Sequence, residues 1–132
     1  MSAHNFPKPL KLEIHEAGRL ATLTEPFTFV DWDEAFEPVT LVEVPAGFET
    51  DFNSVPRGLW NFFPPWEYPE AGVVHDYLYR HPSIHSRAAA DRCHRRILEL
   101  LGCPWWKRWP AWIALRLFGW GPWKEIPSEG AL

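Results

Sequence analysis

A histidine and an aspartate stand side by side at His75 and Asp76, and Tyr79 follows one helical turn after the histidine. A second aspartate, Asp91, comes later in the chain, near the start of another helical pattern. If the two helices face each other, these side chains could supply one base, one carboxylate that orients it and one carboxylate that faces a metal. A carboxylate on an imidazole fixes its tautomer and raises its basicity, as general-base chemistry requires. The residue types therefore suggest hydrolysis.

The helical spacing decides which of these groups can meet. Residues three and four apart share a helix face, so His75 lies with Tyr79, while Asp76 points about 100° away. The sequence leaves structural alternatives open. His75 and Asp76 could form a polar pair that links the helix to a loop, and Asp91 could complement the helix dipole or pair with Arg95.

A second group of polar residues lies in the irregular stretch from Gly47 to Arg57. Its oxygen-bearing side chains are Thr50, Asp51, Asn53 and Ser54. This composition suits a hard cation such as Ca²⁺ or Mg²⁺, with Asp51 and Asn53 as ligands. It equally suits an Asx-turn or a helix N-cap before Pro56. Arg57 could pair with an aspartate or, with Ser54, bind an anionic group of a substrate.

The secondary structure that positions these residues is predicted from the periodicity of apolar residues and from the places of Pro, Gly and capping residues. Alternating or β-branched residues predict short antiparallel strands. These strands cover residues 10–14, 20–24, 27–30 and 39–44. A long ordered loop, rich in Pro, Gly and Asn, follows over residues 48–68.

Three helices are predicted after the loop. The first begins at Pro69 and ends before Pro82, because proline suits a first turn and disfavours helix in the residue before it. The second has Ser86 as its N-cap and ends at Gly102, and the third runs from near Pro110 to Phe118. The predicted fold is a single α+β domain over residues 1–132. It comprises a β-rich part (1–47), the loop (48–68), a helical part (69–124) and a frayed tail (125–132).

The composition narrows the class of protein. The chain has 132 residues, which favours one domain. Its formal net charge of -4 argues against a general nucleic-acid binder, since phosphate binding needs a basic surface. The two cysteines, Cys93 and Cys103, are interpreted as free thiols. We predict neither a signal peptide nor a transmembrane segment. Residence in a cytoplasm fits this pattern best, and a component of a phage particle would look the same.

Nine tryptophans are unusual in a chain of this length. Many of them lie among Lys and Arg near the C-terminus, a composition that suits either a membrane interface or a compact core. We expect most of these side chains to fill the core, with Ile113, Leu115, Leu117 and Phe118 facing it. Interfacial membrane contact is the alternative.

Three motifs in order resemble a known family. They are Thr50-Asp51-x-x-Ser54-x-Pro56-Arg57, His75-Asp76-x-Leu78-Tyr79 and Ala90-Asp91. Together with the region from Gly119 to Trp123 they look like the bacteriophage and prophage family catalogued as domain of unknown function 1353. The resemblance covers roughly residues 40 to 124. It implies a phage or prophage setting and no particular activity.

The His-Asp-x-x-Tyr motif followed by Ala-Asp is also similar to the active-site helices of phospholipases A2. That resemblance implies His75 as the base for a water, Asp76 as a calcium ligand, Asp91 as the orienting acid and Tyr79 as its partner. The Gly-rich calcium loop and the dense disulfides of that family are missing. Asp51, Asn53 and Ser54 would have to replace the calcium loop.

Three functions are compatible with these residues. The first is a metal-assisted hydrolase of a cell-envelope lipid or peptidoglycan bond, using Ca²⁺ or another divalent cation. The second is a non-enzymatic phage virion or tail-associated protein in which the His and Asp motifs are structural. The third is a small host-modulating binding protein. The expected partners are phage structural proteins or the bacterial cell envelope, and no nucleic acid.

Overall fold

The computed structural model describes residues 5–15, 20–32, 38–50 and 67–118. The chain divides into two compact units, residues 1–51 and residues 52–132. The described elements of the first unit are antiparallel strands, and those of the second are three helices. The predicted α+β fold, with strands preceding helices, is therefore confirmed.

The strand unit contains two small sheets. The strands are β1 (Leu12–His15), β2 (Leu20–Leu23), β3 (Phe27–Trp32), β4 (Pro38–Val44) and β5 (Glu49–Thr50). One sheet has the order β1-β2-β5, and the other pairs β3 with β4. Gly47 closes the turn between β4 and β5 with φ of 87°, a left-handed conformation that favours glycine. Its amide donates to the carbonyl of Leu23 over 2.7 Å.

The core of the strand unit is apolar and aromatic. Phe27 and Phe29 alternate on one face of β3, opposite Val44 and Val42 of β4. The ring of Phe6 packs against both phenylalanines, with centroid distances of 5.7 Å and 5.5 Å. Removal of these large apolar side chains from water stabilises the fold of the strand unit.

The first two helices begin and end where the local sequence signals predict. Helix α1 (Pro69–Arg80) has proline in its first turn, and helix α2 (Arg87–Leu100) has Ser86 as its N-cap. The Ser86 hydroxyl accepts a hydrogen bond from the amide of Ala89 over 3.1 Å. Gly102 follows α2 with φ of 86°, which few residues other than glycine adopt readily.

The predicted start of the third helix is wrong. Helix α3 runs over Trp105–Phe118, so Pro110 lies inside it. The first turn forms on Pro104, whose carbonyl accepts from the amides of Lys107 and Arg108. Proline inside a helix costs about 3 kcal/mol. Because Pro110 is on the exposed side of α3, its ring is not forced into the packed side of the helix.

The two faces of α3 differ in a way that also corrects the sequence interpretation. Leu115 is buried as predicted, but Ile113, Leu117 and Phe118 are exposed. Trp105, Trp106 and Trp109 are exposed as well. The expectation that these side chains fill the core is therefore wrong for six of the residues concerned. No helix of the described residues is both long enough and apolar enough to span a membrane.

Candidate active site

Helix α1 places His75 and Tyr79 on one buried face. The two residues are one turn apart, so their rings are in contact, tilted by 40° with centroids 4.0 Å apart. His75 is fully buried and Tyr79 is 2% exposed. The neighbouring apolar residues of α1, Val74 and Leu78, are also fully buried. The helix face that carries the predicted site residues is thus the face that packs into the helical unit.

Asp91 of α2 meets both of these side chains. The Nε2 atom of His75 lies 2.8 Å from Oδ1 of Asp91, and the hydroxyl of Tyr79 donates to the same oxygen over 2.6 Å. Asp91 is itself fully buried. The geometry expected for an orienting carboxylate, with Tyr79 as its second partner, is therefore present in the structure. The catalytic roles of the three residues remain predictions.

Two arginines approach the other carboxylate oxygen. Arg116 of α3 donates from a guanidinium nitrogen, Nη1, to Oδ2 of Asp91 over 2.8 Å. The Nη1 atom of Arg87 lies 3.6 Å from Oδ2, one turn before Asp91 on α2. Arg87 also donates to the backbone carbonyls of Leu115 and Arg116. Asp91 therefore lies at a junction of all three helices, and its expected pairing with Arg95 is replaced by Arg87 and Arg116.

The surroundings keep Asp91 ionised. Burial alone would raise the pKa of Asp91, but the hydrogen bonds from His75, Tyr79 and Arg116 outweigh it and hold the pKa below its usual value. Burial and the adjacent Asp91 carboxylate raise the pKa of Tyr79, so its hydroxyl remains a donor. An ionised carboxylate can only accept, so the proton between it and the imidazole lies on Nε2 in neutral His75.

The other ring nitrogen of His75 differs from Nε2. Nδ1 is buried and has no hydrogen-bond partner among the described residues. In the neutral tautomer that Asp91 selects, this atom carries a lone pair. A buried polar atom without a partner is costly, and such atoms often have a functional explanation. Nδ1 is thus available to accept a proton.

A second histidine, His94, borders the pair. Its ring meets the ring of His75 edge to face, with centroids 5.1 Å apart. His94 is 2% exposed, and burial lowers its pKa to about 3. His94 is therefore neutral at physiological pH, and its uncharged ring packs beside His75.

The predicted metal site is only partly described. Asp76 is buried at 6% exposure, and its helical position turns it away from the His75 face. Asp51, Asn53, Ser54 and Arg57 lie outside the described residues. Across residues 67–118 and the described strands, no group of three or more His, Cys, Asp or Glu side chains could hold a metal ion. Calcium takes roughly six to eight oxygen ligands. The described residues therefore do not fit a cation site.

The sequence interpretation did not assign a role to Arg116, Arg87 or His94. Arg87 precedes Asp91 by four residues, a spacing that indicates an ion pair on one helix face. His94 lies on the same helix as Asp91, but its contact is with a different helix. Arg116 is separated from Asp91 by 25 positions, so no local pattern identifies it.

The fold and the site define an α+β protein whose helical unit encloses a histidine–aspartate pair supported by a tyrosine and two arginines. A family model described as "Protein of unknown function (DUF1353)" matches residues 21–115, and the chain belongs to this family. The match includes His75, Tyr79 and Asp91 but ends before Arg116. No curated protein and no solved structure matches the chain significantly.

Proposed function

We propose that this protein is a phage-related hydrolase in which His75 and Asp91 activate a water molecule. The observation that supports the proposal is the unequal pairing of the two ring nitrogens of His75. Nε2 is held by an ionised carboxylate, whereas Nδ1 is unpaired among the described residues. One ring nitrogen held by a carboxylate and a lone pair on the other are two features of a general-base histidine.

The proton transfers of the proposed reaction use groups already described. Water attacks the carbonyl carbon of an ester or amide while its proton moves to Nδ1 of His75. Asp91 stabilises the resulting imidazolium through Nε2, and Tyr79 and Arg116 keep the carboxylate in place. The proton then passes to the leaving oxygen or nitrogen as the original bond breaks. The products are a carboxylic acid and an alcohol or amine.

The proposed substrate is a bond of the bacterial cell envelope, and the outer face of α3 favours a lipid. Trp105, Trp109, Ile113 and Leu117 recur at helical spacing along that face, and each is exposed. Tryptophan and large aliphatic side chains together are typical of helices that lie at a membrane interface. Peptidoglycan is the second substrate to test. A divalent cation is proposed only as a condition of the assay, because no step above requires it.

The test is hydrolysis by the purified chain. Vesicles of phosphatidylcholine and phosphatidylglycerol, and separately peptidoglycan sacculi, are incubated with the protein in the presence of Ca²⁺ or a chelator. Released fatty acid or soluble muropeptide is measured. His75→Ala should lower the rate by about 10²- to 10⁴-fold, the usual contribution of a general base. His15→Ala, which changes a ring bonded to Thr22 in the strand unit, is the matched control. Equal rates for wild type and His75→Ala would refute the proposal.

A second candidate is a non-enzymatic virion or tail-associated protein. It is favoured by the complete burial of His75 and Asp91 and by the contacts of Asp91 with all three helices. In that case the polar junction holds the helices together and phage structural proteins are the partners. The chain would then be found in purified phage particles by mass spectrometry and would release neither product above background. A non-structural protein acting in the host cytoplasm would be missing from those particles.

A further inference from the structure

The carboxylate of Asp91 divides its two oxygens between different helices. Oδ1 accepts from His75 and Tyr79 of α1, while Oδ2 accepts from Arg116 of α3. A carboxylate can rotate about its bond to Cβ, and its two oxygens are chemically equivalent until something distinguishes them. Arg116 makes that distinction, because its hydrogen bond of 2.8 Å is directed at Oδ2.

The backbone that carries Arg116 is held by Arg87 of α2. Arg87 donates from Nη1 to the carbonyl of Leu115 over 3.0 Å and from Nη2 to the carbonyl of Arg116 over 3.3 Å. These carbonyls belong to the last described turn of α3, where a cation is favourable. Arg87 therefore anchors the peptide units of α3 from which the Arg116 side chain extends back to Asp91.

We propose that Arg116 is a positioning residue of the His75–Asp91 pair, and that Arg87 in turn positions Arg116. The role of Arg116 in a reaction rests on the proposed hydrolase, whereas its control of the pair does not. By holding Oδ2, Arg116 directs Oδ1 at Nε2 of His75, which keeps the ring proton on Nε2 and the lone pair on Nδ1. Among the described residues, the Arg116 guanidinium donates to Asp91, so it acts on His75 through that carboxylate.

The other groups around Asp91 do not replace this function. Tyr79 shares Oδ1 with His75, and Arg87 is 3.6 Å from Oδ2 and already bonded to two carbonyls. His94 contacts the ring of His75 through its edge. Without Arg116, the carboxylate loses its shortest bond on Oδ2 and is free to turn. The hydrogen bond to His75 then lengthens, and the preference for the Nε2–H tautomer weakens.

Nitrogen-15 NMR of the histidine rings, at one pH and without any substrate, tests this proposal. The wild-type ring of His75 should show the Nε2–H tautomer and a strongly deshielded Nε2 proton. Arg116→Gln should reduce the tautomer preference and move that proton upfield, and Arg87→Gln should produce a smaller change in the same direction. Arg108→Gln is the matched control, since Arg108 lies on the same helix and, among the described residues, its guanidinium donates to the carbonyl of Cys103 and not to Asp91.

Arg116→Lys provides a second measurement if Arg116→Gln fails to fold. A lysine keeps the positive charge, but its ammonium lies on a shorter side chain and cannot reproduce the planar guanidinium bond, so the His75 signals should still move. Signals of His75 that stay at their wild-type positions in the folded Arg116 variants, as in Arg108→Gln, would overturn the proposal.

Vesicle hydrolysis separates this proposal from the proposed function. Arg116→Gln should lower kcat about 10-fold and leave KM nearly unchanged, because only the orientation of the base is altered. If the His75 signals respond to Arg116 while no protein hydrolyses either substrate, the hydrolase fails and the positioning role stands. If wild type and Arg116→Gln hydrolyse equally well and the His75 signals do not move, the positioning role fails and the hydrolase stands.

Discussion

The two units of the chain bury different kinds of side chain. In the strand unit, the rings of Phe6, Phe27 and Phe29 form an apolar core. In the helical unit, the buried side chains include those of two histidines and two aspartates, namely His75, Asp76, Asp91 and His94. Apolar burial needs only shape and area, whereas each buried charge must be compensated by partners at fixed positions.

This difference bears on the role of the charged residues that the helical unit buries. Replacing a buried ion pair with apolar side chains of similar volume is often neutral or even stabilising. The strand unit shows that this chain can build a core from phenylalanine and valine. The helical unit instead places Asp91 where donors from all three helices converge. Stability alone does not require that choice, which is compatible with the proposed chemical role of the helical core.

Asp91→Asn should have the largest effect on stability. It leaves the guanidinium of Arg116 and the donors of α1 facing a neutral amide, and breaking a buried charge pair costs about 3–5 kcal/mol. We expect a loss of this size in the free energy of unfolding, measured in urea with hydrogen exchange resolved along the chain. Phe29→Ala is the control of similar size in the strand unit. It should leave the NMR signals of His75 unchanged, whereas Asp91→Asn should change them. A loss below about 1 kcal/mol for Asp91→Asn would show that the junction contributes little.

Acid should destabilise the protein through His94. Its pKa is about 3 in the folded chain against 6.5 for a free histidine, so between these values the unfolded chain binds a proton that the folded chain excludes. The free energy of unfolding therefore falls as the pH drops below about 6.5, by about 2 kcal/mol at pH 5. The stability that the lowered pKa of Asp91 provides is present above its ordinary value of 3.8 and is lost below it.

Two variants sharpen this pH prediction. His94→Gln cannot bind the proton, so its unfolding free energy should fall less steeply between pH 6.5 and pH 4. Phe29→Leu, in the apolar core of the strand unit, changes no titratable group and should retain the wild-type slope. Parallel slopes for wild type and His94→Gln, from urea unfolding at several pH values, would assign the acid sensitivity to other groups.

Local signals in the sequence predict the elements better than the site. Ser86 and Gly102 mark the ends of α2 because helix capping depends on the residue at the cap position itself. The alternation of buried and less buried residues along β3 is likewise visible in the local sequence. The sequence places the start of α3 too late, because proline is favoured in the first turn of a helix and Pro110 therefore predicts a start at that position. In the structure, α3 begins before that proline, which lies on the exposed side of the helix.

The site itself was predictable only in part. His75 and Tyr79 share a helix, so their common face follows from their spacing, and the motif order suggested Asp91 as the partner. Arg116 was not predictable, because its bond to Asp91 depends on how α3 packs on α2. The exposure of Trp105 and Leu117 was missed for the same reason, since composition does not say which face of a helix is packed.

Ser86→Ala should have a moderate effect that is confined to the scaffold. The Ser86 hydroxyl caps the first turn of α2, which carries Arg87 and directly precedes Asp91. Losing an N-cap side chain costs about 1 kcal/mol, and Ser86→Asp, which restores an acceptor, should recover most of it. Thermal unfolding of the two variants measures this difference. Equal losses in both would show that the cap does not contribute to the stability of the helical unit.

The smallest effect on stability should come from exposed apolar residues, and here the two units should differ in binding. Leu117 of α3 is 61% exposed and Leu41 of β4 is 55% exposed. Serine at either position should change the free energy of unfolding by less than about 0.5 kcal/mol, because neither side chain is buried. Only Leu117→Ser should weaken sedimentation with vesicles of phosphatidylcholine and phosphatidylglycerol, since Leu117 shares the outer face of α3 with Trp109 and Ile113.

If both variants bind vesicles as wild type does, or neither wild type nor variant binds, the outer face of α3 does not contact lipid. The substrate tests would then turn to peptidoglycan.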